Sequence, residues 1–131
     1  MELMKNDRCF VCGPDNNAGL RAVFQRDNQR HLAFGRVCLA EAFQGWRGRV
    51  HGGVLAALLD EACIYASLGL GGDPVTADLQ VRYLLPVPCD REVTLFGEVV
   101  EWRKKLVKAQ SRLVLDGQIH AEGQARILLL R

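Results

Sequence analysis

Asp60 and Glu61 stand side by side in a stretch that is otherwise apolar, with Val54-Leu55-Ala56-Ala57-Leu58-Leu59 before them and Ala62-Cys63-Ile64-Tyr65-Ala66 after. A carboxylate among apolar side chains is costly to bury, so such an acid is normally paired, hydrogen-bonded or put to use in chemistry. No Lys or Arg lies three or four residues from either acid, and a local ion pair therefore does not explain them. The competing structural explanation is an acid that faces solvent at a subunit edge or bonds to a loop. His51-Gly52-Gly53 opens the same stretch. It sets two residues without a Cβ where the first unpaired N–H groups of a helix point outward. Such a terminus can bind a carbonyl oxygen and stabilise the charge that the oxygen gains on attack, helped by the helix dipole. Asp60 follows His51 by nine residues, about two helical turns. That spacing suits an acid approaching a carbonyl group held at a helix start, of this chain or of a partner copy.

These residues need a helix to carry them and a sheet to cover it. From Gly53 to about Leu68, Ala and Leu dominate with neither Pro nor internal Gly, which predicts a helix. Its apolar residues surround the whole circumference, so it is expected to be buried on most sides. Gly69, Gly71 and Gly72 end it, with Pro74 just beyond. Strands are expected at 20–26 and 31–39 before it, with a turn at 27–30 between them. After it, Ala77, Leu79, Val81, Tyr83 and Leu85 alternate with Thr76, Asp78, Gln80 and Arg82, the period of a half-buried strand. Further strands are expected at 92–102, 106–115 and 118–130, the last two joined by Asp116-Gly117, a type I′ hairpin signal. In the last strand Ile119, Ala121, Gly123, Ala125, Ile127 and Leu129 form the inward set, and His120 falls on the solvent face. The order β-β-α-β-β-β-β leaves one helix to be covered by one antiparallel sheet. This is an α+β chain, a curved sheet wrapped around one long central helix: the hotdog fold. A length of 131 residues fits a single domain, 1–131, with a loop-like entry segment at 1–19.

The segment His51-Gly52-Gly53-Val54-Leu55-Ala56-Ala57-Leu58-Leu59-Asp60 resembles the signature of hotdog thioesterases related to the phenylacetate-pathway and 4-hydroxybenzoyl-CoA enzymes. Thr76 to Pro86 resembles the strand that follows in that family. Cys9 to Leu20 and Phe43 to Gly48 resemble the opening blocks of one bacterial branch, so the likeness covers nearly the whole chain in the expected order. It implies an acyl-CoA thioesterase acting on a small or medium acyl- or aryl-CoA, with no cofactor and no metal. By position, Asp60 would be the nucleophile or general base, Gly52 would supply an oxyanion N–H, and Thr76 would orient water. His51 and Gly53 belong to the same motif. The family often carries an amide six residues before the His. Here that position is Gly45, and Gln44 is the candidate replacement. Glu61 has no counterpart in the best-known members, and its role stays open between a second acid and a loop anchor. The resemblance also implies active sites between subunits, hence a homodimer or homotetramer. The rival readings are a non-catalytic acyl-CoA-binding module and a hydratase or dehydratase. The former gains nothing from Asp60, and the latter uses a His not followed by a Gly-Gly helix start.

Charge and composition exclude several other classes. A net charge of +2 with scattered basic residues gives no footprint for nucleic acid. Arg103-Lys104-Lys105 and Arg82 are candidates to meet CoA phosphates, and Arg47 and Arg49 form a second small cluster, although exposed turns often carry such charges. The longest apolar run is too short for a membrane span, and the first residues lack a secretory pattern, so a cytoplasmic location is expected. An odd count of cysteines, 5, fits reduced thiols. Cys9 and Cys12 form a lone CxxC whose nearest partners in sequence are His31 and Cys38. Without a second pair it falls short of the usual zinc pattern, and packing or turn-forming thiols are expected. Cys63 and Cys89 read as small apolar fillers.

Overall fold

The structure, a computed structural model, describes residues 7–130. Strands β1 (Val23–Asp27) and β2 (Leu32–Cys38) precede a single 3-10 turn (Glu41–Phe43) and the helix α1 (Gly52–Ser67). Strands β3 (Asp73–Tyr83), β4 (Glu92–Arg103), β5 (Leu106–Leu115) and β6 (Gln118–Leu130) follow. All pairings are antiparallel in one sheet of order β1-β2-β4-β5-β6-β3, which leaves β1 and β3 at its edges. The helix touches all six strands. Six strands span about 24 Å at about 4.8 Å per neighbour, and a helix is only about 10–12 Å across, so the sheet must curl around it. This is the hotdog arrangement that the sequence pattern predicts.

The helix is seated on the sheet through Leu55, Leu58, Leu59, Ala62, Cys63 and Ala66, all buried. It crosses β4 so closely that Gly97 admits no side chain: a Cβ there would lie 2.2 Å from the Ala62 carbonyl oxygen. Burial on most sides is only partly realised, because the stripe Ala56, Ala57, Asp60 and Ile64 is half-buried. Ala57 and Ile64 pack partly against the core and Asp60 meets β3, but the sheet does not close over this stripe. The Asp116-Gly117 hairpin is as expected, with both residues at positive φ, 52° and 75°. The entry segment packs inward through Val11 and Leu20, which join the main core, and it holds neither helix nor strand over 7–19.

Two bulges alter the strand alternation read from the sequence. In β3 the register skips Ala77: Thr76 pairs with Ile127, and Asp78 pairs with Arg126. Thr76 therefore shares the inner face of Ile127, and Ala77 is turned outward and exposed, the reverse of the expected sides. In β6, Val114 pairs with Ile119 and Leu113 with Ala121, so His120 is the extra residue. His120 is consequently buried, not solvent-facing, and Ile119 is exposed. The ring of His120 is satisfied by the Pro86 carbonyl, 3.1 Å from Nδ1. Tyr83 and Leu85, expected inside, are 53% and 41% exposed. Tyr83 ends the edge strand β3 and Leu85 lies past it, where only one side of the strand has a neighbour.

Candidate active site

His51 caps α1 and occupies most of its amino-terminal donors. Its Nδ1 accepts the Gly53 N–H at 2.8 Å, and its carbonyl accepts from Val54 and Leu55 at 3.0 and 3.2 Å. The Gly52 N–H is left as the helix-start amide without an acceptor among the described residues. That leaves a donor aligned with the positive end of the helix dipole and open to a ligand oxygen. Gly53, singled out with Gly52 in the sequence, has its N–H committed to the cap. The Gly52 peptide is held in place by Tyr83, whose hydroxyl donates to the Gly52 carbonyl at 2.7 Å. The loop before it is fixed by His51 N–H to the Phe43 carbonyl and Val50 N–H to the Val87 carbonyl, each 2.8 Å.

Asp60 and Glu61 point to opposite edges of the sheet, as neighbours on a helix must diverge by about 100°. Asp60, half-buried, faces β3, where Thr76 Oγ1 donates to its Oδ1 at 2.5 Å. Glu61 faces the entry segment and the β1 side. Its Oε2 accepts from Cys9 Sγ at 3.3 Å, and one turn on, Tyr65 stacks on Phe24 of β1 at 4.7 Å between ring centres. The thiol of Cys63, on the helix between the acids and the sheet, is pushed up to about 11 by burial. Ser111 partly offsets that rise, and the Asp60 charge adds to it. Cys12 is pushed up to about 12 by burial and then by its hydrogen bond to Glu61.

The other residues singled out in the sequence are not gathered around Asp60. Gln44 Oε1 accepts the Gly48 N–H at 3.0 Å, so its amide braces its own exposed loop. Arg82 lies in register with Glu122 on the outer face of the sheet, away from the helix, and lines a shallow groove there. Arg103 ends β4, and Lys104 and Lys105 form the exposed turn to β5. That turn lies at the Thr76 end of the sheet, with β5 and β6 between Arg103 and β3, and the Lys105 carbonyl accepts from Leu129 of β6, the neighbour of β3. Tyr83 is the participant that sequence reasoning missed. Its place in the alternation marked it as a core residue, and nothing in the spacing brings strand residue 83 to helix residue 52.

A six-stranded sheet around one helix, with a donor-bearing HGG helix start and a held carboxylate inside that helix, defines a class before any comparison is made. Residues 47–122 match the thioesterase superfamily, and the chain belongs to that family. It is similar to acyl-coenzyme A thioesterase THEM4 of Xenopus laevis, 31% identical over 99 residues, which cover 72% of this chain and 45% of that protein. Among solved structures it is similar to RHA08564, a thioesterase superfamily protein, with a TM-score of 0.84 and 28% identity, covering 93% of this chain and 63% of the other. The fold is also that of a thioesterase-like protein of Streptococcus pneumoniae solved with coenzyme A, at TM-score 0.74 and 20% identity, covering 82% and 87%. The chain spans about half the length of the relatives it matches in sequence.

Proposed function

We propose that the protein hydrolyses the thioester of a small or medium acyl- or aryl-CoA to a free acid and CoA. The observation that carries this reading is the pairing of an unclaimed Gly52 N–H at a helix start with a carboxylate, Asp60, held by Thr76. The thioester oxygen would accept from Gly52, and the developing oxyanion would be stabilised there. Asp60 would either take a proton from a water that attacks the carbonyl carbon, or attack it directly to form an acyl anhydride that water then hydrolyses to the free acid and restored carboxylate. In both routes the C–S bond breaks as CoA leaves as a thiolate. Thr76 keeps one carboxylate oxygen occupied and so presents the other.

Both groups cannot serve one carbonyl within a single chain. Eight helical steps separate Gly52 from Asp60, a rise of about 12 Å, whereas both must come within about 3 Å of the reacting group. A second copy whose α1 runs antiparallel alongside the half-buried Ala56–Asp60 stripe would bring its Gly52 to this Asp60, and the reverse. The proposed unit is accordingly a homodimer at least, with two shared sites. Five free cysteines suit a reducing, cytoplasmic setting. Among the described residues no helix is long and apolar enough to cross a membrane.

Thiol release from a panel of acyl-CoAs tests the reading. Wild type should turn over at least one chain class, and Asp60→Asn should lose about 10²–10⁴-fold. Unchanged turnover in Asp60→Asn would remove Asp60 from the reaction. Tight acyl-CoA binding without thiol release would replace the enzyme with a binding module.

A further inference from the structure

Glu61 is not used by the chemistry at Asp60, and neither is the Cys9–Cys12 pair, yet the fold brings the three together. Two thiol sulfurs and one carboxylate oxygen lie within 4.8 Å of one another, none of the three residues fully exposed. Cys9 Sγ and Glu61 Oε2 are 3.3 Å apart. A tetrahedral ion with bonds of about 2.0–2.3 Å holds sulfur and oxygen donors about 3.5–3.8 Å apart, so small side-chain shifts would complete the geometry. Neither His31 nor Cys38, the partners suggested by sequence distance, belongs to the cluster.

The turn that presents the sulfurs is fixed independently of them. The Gly13 N–H donates to the Cys9 carbonyl at 2.9 Å and closes the turn, and a Cβ on Gly13 would fall 2.3 Å from the Cys9 nitrogen. The Phe10 and Val11 carbonyls accept from Leu20 and Ala22, each at 2.8 Å, which ties the turn to the chain entering β1. Val11 is anchored in the core. Glu61, by contrast, is met by the thiols of Cys9 and Cys12. The ion pairs among the described residues bypass it, and a thiol is a weak donor for a half-buried carboxylate.

We propose that Cys9, Cys12 and Glu61 bind a single divalent cation of the zinc type, with a fourth position left to water, and that the ion fastens the entry segment to α1. Two sulfur donors select zinc over magnesium or calcium, whose preferred ligands are oxygens. Binding displaces the two thiol protons, so that two thiolates and a carboxylate face the 2+ charge. The site stands apart from hydrolysis at Asp60 and does not depend on it.

The test uses the full-length reduced protein, with zinc content measured as purified and cobalt(II) titrated into the metal-stripped form. The expected result is one metal per chain, with thiolate-to-cobalt charge-transfer absorption and the intense visible bands of a tetrahedral ion. Cys12→Ser should lose about half of the charge-transfer intensity. Glu61→Gln should weaken binding by at least the roughly 10–100-fold seen for outer-shell partners of metal ligands. Cys38→Ser, an exposed thiol outside the cluster, should change neither. Zinc should raise the melting temperature of wild type but not of Glu61→Gln. The proposal is overturned if reduced protein gives no thiolate–cobalt band, or if Glu61→Gln binds as tightly as wild type. A Cys9–Cys12 disulfide in the intact mass, with no cobalt uptake after reduction, overturns it in favour of a redox pair.

Discussion

Thr76 on the edge strand β3 donates its hydroxyl to Asp60 in the middle of α1, at 2.5 Å, and a bulge of one residue makes that contact possible. With strict alternation Thr76 would share the outer face with Asp78 and Gln80. Skipping Ala77 turns it toward the helix, while Leu79 and Val81 stay inside as well. The edge strand thus supplies both packing residues and a hydroxyl from the same face.

Removing that hydroxyl should impair turnover without unfolding the chain. A hydrogen bond to a charged group is worth about 1.5–3 kcal/mol, so Thr76→Ala should lower kcat by roughly 10–100-fold. Thr76→Ser keeps the donor and should recover most of the loss. Steady-state thiol release with matched circular dichroism checks both, and equal losses in the two variants would show that the methyl group, not the hydroxyl, matters.

Gly52→Pro isolates the helix-start donor. Gly52 is the first helical residue, a position where Pro is tolerated, and His51 before it is already extended at φ −60° and ψ 135°. The substitution deletes one N–H and leaves the helix in place, so kcat should drop about 10²–10³-fold with little change in melting temperature. If each site joins Gly52 of one copy to Asp60 of another, coexpressing Gly52→Pro with Asp60→Asn should restore about a quarter of wild-type activity through mixed dimers. Activity that stays at the level of the separate variants would place both groups in one chain's site.

Much of this architecture was legible because its signals are local. The Ala/Leu run of α1, the Gly residues that end it and the Asp116-Gly117 turn each act within a few residues. The chain order then left only a sheet around a helix. The bulges at Ala77 and His120 were not legible, because neither carries a Gly or any other mark of an inserted residue. The bulge at His120 sits within the β5–β6 hairpin, where the turn signal does not reveal the extra residue, and the bulge at Ala77 is set by pairing with β6, far away in sequence. The same holds for Glu61: its place on an apolar helix signalled an unmet need, but Cys9 lies 52 residues earlier. Helical spacing, the only tool available to the sequence, could not reach it. Asp60 was found by motif and Thr76 by resemblance, and the alternation read from β3 alone would have placed Thr76 on the wrong face.

The crossing of α1 over β4 should tolerate no side chain at Gly97. A Cβ 2.2 Å from the Ala62 carbonyl meets backbone, so the helix or the strand must move. Overpacking of this kind costs about 1–3 kcal/mol or more. Gly97→Ala should lower the urea midpoint accordingly. Because Ala62 lies two residues from Asp60, it should also reduce turnover. A midpoint equal to wild type would mean that helix and strand separate freely there.

Alkaline unfolding should report on Cys63. Its thiol is fully buried and pushed up to about 11 from an ordinary value of 9.0, so the folded chain keeps a proton that the unfolded chain gives up first. The stability tied to this thiol is complete below pH 9.0 and is lost as pH rises through the window up to about 11. The slope is at most about 1.4 kcal/mol per pH unit for one group. Cys63→Ala removes the titrating group, so its unfolding free energy, lower at neutral pH because of the space left behind, should fall less steeply between those values. Cys38→Ala, at an exposed position, should follow the wild-type slope. Urea denaturation at pH 8, 9, 10 and 11 measures all three, and identical slopes for wild type and Cys63→Ala would show that the buried thiol does not couple to folding.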